Sequence, residues 1–173
     1  LHAAYTDAPS ILTGRRYALD DICFNYVPSA YSLKVACAIA QKTQADSILA
    51  IDNPQQDLPN SNYEVTVAIS SFSRHQVLRH EEASISNVLS SLPNYDVLHL
   101  CCHGTANLKN PLSSGLLMSD GLLTLRNVLD SQLSGIRLAI LSADETGLSG
   151  ISLPDEAVSF PSGLLQAGVA GVV

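Results

Sequence analysis

Short apolar runs that stop at small or polar residues recur along the chain. Three of them lie at 47–51, 97–102 and 137–142. Nearly continuous apolar segments of this length are typical of parallel strands that are buried on both faces. The first run closes with an Asp-Asn-Pro sequence, which is typical of a turn. The pattern therefore predicts three central strands, each followed by a change in chain direction.

Apolar positions at helical spacing fill most of the chain between these runs. Residues that recur at i, i+3, i+4 and i+7 place apolar side chains on one face of a helix. The pattern predicts helices over 31–42, 62–72, 83–92, 125–132 and 155–166. The apolar face of the first helix is expected to consist of Leu33, Ala36, Cys37 and Ala40. Further short strands are predicted at 76–79 and after Gly168, and residues 1–30 are expected to be irregular or to form a hairpin.

An Asp-Gly pair between apolar residues marks a tight turn in the second half of the chain. Asp120 and Gly121 have apolar neighbours on both sides, and this arrangement predicts a β-hairpin. Thr124 follows the hairpin directly and is a suitable N-cap for the helix predicted over 125–132.

Strands and helices alternate through most of the sequence. This alternation predicts an α/β fold, with a mainly parallel central sheet and helices on both of its faces. In such sheets the ligand site lies beyond the carboxyl ends of the strands. Two of the predicted strands lead into His103-Gly104 and Asp144-Glu145, so these four residues are expected to meet at one edge of the sheet.

Composition and charge narrow the class of function. The net charge is −7, and no basic cluster is larger than Arg15-Arg16, which argues against direct binding of nucleic acid. No apolar run reaches about 18 residues, so a membrane-spanning helix is not expected. The four cysteines lack metal-binding spacing, and free thiols are typical of a reducing compartment, so we expect a cytoplasmic protein without metal or cofactor.

The two ends of the sequence both suggest a piece of a longer protein. The chain begins without Met and without a signal peptide, and it stops within the last predicted strand. A length of 173 residues fits one domain of ordinary size. We therefore expect a single domain over 1–173 that is truncated at both ends.

Several motifs along the chain together resemble the CHAT domain. They are LAIDNP at 49–54, HLCCHG at 99–104, PLSSGLLMSDGLLTLRNVL at 111–129, RLAILSADETG at 137–147 and LPDEAVSFPSGLLQAGVAGVV at 153–173. CHAT is a caspase-like peptidase domain, related to separase and often fused to tetratricopeptide repeats. The resemblance implies a caspase-type α/β/α sandwich, a cysteine endopeptidase with a protein or peptide substrate, and fused or bound regulatory domains.

The resemblance also assigns roles to the residues at the two strand ends. It implies that His103 is the general base and that the nucleophilic Cys falls at position 144, where this chain has Asp144. It further implies that the backbone N–H groups of Gly104 and residue 144 are the oxyanion donors. Glu145 is expected at the rim of the site. There it either shapes substrate specificity or, as an anion, merely favours the formation of the helical segment that follows.

Whether the chain is an enzyme depends on residue 144. A thiolate beside an imidazole is a strong nucleophile, whereas a carboxylate is a poor nucleophile towards an amide. The family mechanism is therefore not expected to run with Asp144. Three origins for this residue stay open: natural loss of the Cys, an engineered substitution, or a stand-in for an oxidised Cys. The alternative function is a non-catalytic pseudopeptidase that binds proteins or regulates them.

Neighbouring residues offer few substitutes for the missing nucleophile. Because side chains alternate along a strand, Cys102 is expected on the face opposite to His103. Cys101 shares the face of His103 but lies deeper, where burial raises the pKa of a thiol. Ser142 is expected to be buried, and His99 is expected to pack in the core. A metal site built on His103 and Asp144 lacks a third ligand and is disfavoured.

Overall fold

A computed structural model describes most of the chain, namely residues 5–6, 16–17, 21–22, 27, 29–107, 109–131, 133, 135–145 and 160–173. The chain divides into two compact units, Leu1–Ala30 and Tyr31–Val173. In the first unit, strands β1 (Tyr5–Thr6) and β2 (Arg16–Tyr17) form an antiparallel pair.

The second unit contains a mixed β-sheet, which has six strands in the described part of the chain. The strands are β3 (Ser47–Asp52), β4 (Arg74–Arg79), β5 (Val97–Thr105), β6 (Gly115–Met118), β7 (Gly121–Thr124) and β8 (Leu138–Glu145). Their order is β4-β3-β5-β6-β7, and β8 pairs with β5. Residues 97–101 pair with both β3 and β8, so these two strands lie on opposite edges of β5.

The described helices follow the predicted alternation with strands. They are α1 (Ala30–Lys42), α2 (Ser61–Ile69), α3 (Ile85–Ser91), α4 (Leu125–Asp130) and α5 (Phe160–Gln166). Thr124 caps α4, as predicted, because its hydroxyl accepts the backbone N–H of Asn127. The part of the predicted helix 155–166 that precedes Phe160 lies outside the described residues. In the described part of the chain, every helix is too short or too polar to span a lipid bilayer.

The predicted α/β class is confirmed, but a mainly parallel sheet is not. Strands β4, β3, β5 and β8 run parallel to one another, whereas β6 pairs in antiparallel fashion with both β5 and β7. Strands β6 and β7 are joined by the two residues Ser119-Asp120, and a connection this short joins only antiparallel strands. The predicted hairpin is thus present, and it makes the sheet mixed. The strand predicted after Gly168 appears in the described residues as a single parallel bridge between Ala139 and Val172.

The two faces of the sheet are covered by different helices. Leu98, Leu100 and Cys102 of β5 belong to a large apolar cluster that includes residues of α3, α4 and α5. On the other face, Cys101 packs with Ala50 of β3 and Val65 of α2. Alternation along β5 therefore places His99, Cys101 and His103 on the α2 face.

Two details differ from the sequence-based prediction. Strands β5 and β8 extend to Thr105 and Glu145. His103 and residue 144 therefore lie within the last residues of these paired strands and not beyond the strand ends. Helix α1 buries none of its described residues, and both Leu33 and Cys37 of its predicted apolar face are exposed.

Candidate functional site

His103 and residue 144 are brought side by side by the pairing of β5 with β8. The strands run parallel in continuous register from Val97 and Leu138, so that His103 is the Cα partner of Asp144. The next pair in the register is Gly104 with Glu145. Neighbouring strands lie about 4.8 Å apart. The four residues predicted at the edge of the sheet therefore have adjacent backbones, although the side chains of 144 and 145 lie outside the described part.

The imidazole of His103 has a carboxylate partner that the sequence did not reveal. Its Nε2 lies 2.9 Å from Asp57 Oδ1. The imidazole is largely buried, with 14% of its side chain exposed, whereas Asp57 is 56% exposed. Asp57 lies in the loop that leaves the carboxyl end of β3. Parallel strands end at one edge of a sheet, so an acidic residue in this loop was the available signal.

The Nδ1 atom of His103 is buried and has no hydrogen-bond partner among the described residues. An ionised carboxylate only accepts hydrogen bonds, so the Nε2–H donates to Asp57. In the neutral ring the lone pair then lies on Nδ1. His103 is consequently held in an orientation and a tautomer that leave Nδ1 as the basic atom.

Asn53 shapes the loop that carries Asp57. Its side-chain Oδ1 accepts the backbone N–H groups of Asp57 at 3.0 Å and Leu58 at 3.2 Å, and its Nδ2 donates to the Leu58 carbonyl at 3.1 Å. Its backbone N–H donates to the Cys101 carbonyl at 2.8 Å, which ties the loop to β5. Asn53 has a φ of 47°, a left-handed conformation that Asn tolerates better than most residues.

A second polar group lies deeper on the same face of the sheet. His99 is 3% exposed, as predicted for a core residue, and its Nε2 lies 3.2 Å from Glu64 Oε1. Burial lowers the pKa of His99 below its ordinary value of 6.5, and the Glu64 carboxylate opposes this effect. On the neighbouring strand β3, Asp52 is buried and forms an ion pair with Arg79, with Asp52 Oδ2 and Arg79 Nε 2.8 Å apart.

The two thiols of β5 are poor nucleophiles, as the sequence predicted. Burial raises the pKa of Cys102 to about 12, and its side chain belongs to the cluster on the face opposite to His103. The pKa of Cys101 is raised to about 11, first by burial and then by the charge of Glu64. The Cys101 thiol donates to Glu64 Oε2 at 3.8 Å. Thiolate, the reactive form, is therefore scarce at both positions near neutral pH.

A cleft of about 490 Å³ opens next to this polar group. Residues from the loop after β3, from α2, from β5 and from β8 contribute to its walls, among them Leu58, Ser61, Glu64, Cys101, Leu141 and Ser142. Ser142 is half-buried and lines the cleft, so the prediction of a buried Ser142 was wrong. The difference arises because the carboxyl half of β8 forms a wall of the cleft.

The chemistry open to the described side chains is limited. Within the described ranges, no group of three or more His, Cys, Asp and Glu residues has the arrangement of a metal site. An oriented imidazole at a sheet edge can take up a proton from a neighbouring hydroxyl or thiol. The register partner of His103 is an Asp, which carries neither group.

These features define an α/β domain with a histidine-centred site at one edge of its sheet. The family model of the CHAT domain matches residues 2–173, and the chain therefore belongs to the CHAT domain family. It is accordingly a caspase-like, peptidase-related domain, as the sequence motifs implied. No curated protein matches the chain.

Proposed function

We propose that this CHAT domain is a pseudopeptidase that binds an extended protein segment at the His103 edge without cleaving it. The observation that carries the proposal is the Cα pairing of His103 with Asp144, at the position where the family motif has its nucleophilic Cys. A histidine base activates a nucleophile by removing a proton from it. An ionised Asp144 has no proton to give, and it attacks amides poorly.

No other thiol of β5 replaces the missing nucleophile. Cys102 lies on the opposite face, and Cys101 lies two residues deeper with a pKa of about 11. Two features of the site support a role in recognition. His103 is held by Asp57, and the cleft beside Ser142 offers space for a side chain. We infer that Gly104 and residue 144 supply backbone N–H groups to the bound segment and that Glu145 contacts it at the rim.

The partners follow from the same proposal. The bound molecule is a protein or peptide segment. Fused or associated domains, such as tetratricopeptide repeats, control the access of this segment to the binding site. The described cysteines Cys37, Cys101 and Cys102 are free thiols, which supports a reducing, cytoplasmic location.

The proposal is tested by separating binding from cleavage. The unmodified domain, the Asp144→Cys variant and the Asp144→Ala control are each incubated with a library of random decapeptides. Mass spectrometry then identifies the peptides that are cleaved and those that the immobilised domain retains. We expect the unmodified domain and the Asp144→Ala variant to retain peptides intact, and the Asp144→Cys variant to cleave them.

Two results would contradict the proposal. Cleavage by the unmodified domain that disappears in the His103→Ala variant would show an active peptidase with a different nucleophile. A domain that is folded by circular dichroism but retains no peptide would show that the site has no role in peptide recognition. Cleavage by Asp144→Cys that requires His103 would establish that only the nucleophile has been lost.

A further inference from the structure

The cleft lies directly below the His103 edge on the same face of the sheet. Cys101 and Ser142 line it and are register partners in β5 and β8. Two residues further along these strands lie His103 and Asp144, which are also register partners. A step of two residues along a strand covers about 7 Å and returns to the same face. A peptide backbone bound at His103 is therefore one side-chain length from the cleft.

The charge in this cleft is negative. Glu64 lines it, and 42% of the Glu64 side chain is exposed. Its polar neighbour His99 is neutral near pH 7 because burial lowers the pKa of His99, so the imidazole adds no positive charge beside Glu64. Arg79, whose side chain is 41% exposed, is already paired with the buried Asp52.

The lining of the cleft adds no positive charge. None of the described residues that line the cleft is basic. The walls also carry apolar surface from Leu58 and Leu141, on which an aliphatic stem can rest. A volume of about 490 Å³ is within the range of small-molecule sites.

We propose that this cleft accepts a basic side chain, Arg or Lys, of the bound protein segment, and that the Glu64 carboxylate is its ion-pair partner. The inference rests on the proposed peptide-binding function and specifies the class of sequence that binds. A guanidinium pairs with a carboxylate through charge-assisted hydrogen bonds, and its stem contacts the apolar wall. Glu64 is then the residue that determines the preference for a basic side chain in the bound segment.

The first experiment uses small probes and the unmodified protein. The isotopically labelled domain is titrated with N-acetyl-arginine amide and with the matched citrulline derivative, which has the same shape but no charge. Binding is followed through the amide resonances of residues around the cleft. We expect the arginine probe to bind at least about tenfold more tightly, the value of one charge-assisted hydrogen bond. Equal binding of the two probes, or no binding of either, would overturn the inference.

A pair of variants then tests the assignment to Glu64. Glu64→Gln keeps the size of the side chain and an acceptor for His99, but it removes the charge. Glu81→Gln removes one charge from an exposed site outside the cleft. We expect Glu64→Gln to abolish the preference for arginine over citrulline and Glu81→Gln to leave it unchanged. A preference that survives in Glu64→Gln, with the fold intact by circular dichroism, would contradict the role of Glu64.

The decapeptide library distinguishes this inference from the proposed function. Retained peptides that are enriched in Arg and Lys at one position support both the assignment of the cleft to a basic side chain and the peptide-binding function. Retained peptides without such enrichment overturn the basic cleft and leave peptide binding intact. Probe binding by a domain that retains no peptide supports the cleft and contradicts the proposed function.

Discussion

His103 and Asp57 are 46 positions apart in the sequence, and His103 Nε2 lies 2.9 Å from Asp57 Oδ1. One residue lies near the end of a central strand and the other in the loop that follows the neighbouring strand. The contact orients the imidazole and leaves its Nδ1 atom free of partners among the described residues. Because of this contact, the site consists of an oriented imidazole with a carboxylate partner and not of an isolated histidine.

Asp57→Ala, placed in the Asp144→Cys variant, is expected to lower kcat for peptide cleavage by roughly ten- to a hundredfold, because a misoriented base loses productive geometry. KM should stay the same, since Asp57 positions the imidazole without contributing to the cleft. Steady-state kinetics on a peptide cleaved by the parent variant measure both quantities.

The control for this change is Asp130→Ala, which removes an exposed carboxylate at the end of α4. It should leave kcat unchanged. If Asp57→Ala and Asp130→Ala gave the same kcat as the parent variant, Asp57 would have no positioning role.

Asn53→Ala is expected to destabilise the fold by about 1–3 kcal/mol, because it removes a buried amide and leaves loop groups without their hydrogen-bond partners. Asn53 is 6% exposed, and its amide serves Asp57 and Leu58. Urea denaturation provides the free energy of unfolding. Asn60→Ala is the control, because Asn60 is exposed and forms no capping bond, and it should change stability by less than about 0.5 kcal/mol. Equal effects of the two variants would contradict the role of Asn53.

The thiols of β5 should resist alkylation in the native domain. At pH 8 a thiol with a pKa of about 11, like that of Cys101, is ionised to roughly one part in a thousand, and Cys102 is ionised still less. Cys37 is exposed and is expected to react. Treatment with iodoacetamide followed by peptide mass spectrometry measures modification at each site. Rapid native modification of Cys101 would show a reactive thiol, whereas modification of Cys37, Cys101 and Cys102 in denaturant is the positive control.

Acid should destabilise the domain partly through His99. Because burial lowers the pKa of His99 in the folded state, the unfolded chain binds this proton more readily. The contribution of His99 to stability is present above the unfolded value of 6.5 and is lost as the pH falls below it. Free energies of unfolding at pH 7.5 and 5.5 should therefore differ less in His99→Gln than in the unmodified protein. His75→Gln, at an exposed position of β4, should retain the original difference; a His99→Gln variant that retained it as well would exclude this role.

The local pattern of the sequence was sufficient for most of the secondary structure. Apolar runs predicted β3, β5 and β8, helical spacing predicted α2 and α3, and the Asp120-Gly121 turn predicted the hairpin. Hydrophobic periodicity and turn propensity are local features of the sequence, so these elements could be predicted without the tertiary structure. Helix α1 was predicted as well, but the exposure of its apolar face was not. Burial depends on what packs against a helix and not on the spacing of apolar residues within it.

Local patterns in the sequence were therefore sufficient for the class of fold, the family motifs and the two strand ends that carry His103 and Asp144. Tertiary structure decided which distant groups meet there. Parallel pairing set the register of His103 with Asp144, and the loop after β3 brought Asp57 to the imidazole. The placement of Glu64 beside His99 and Cys101 depends on how α2 lies on the sheet. Such contacts join segments that are remote in sequence, and no local periodicity encodes them.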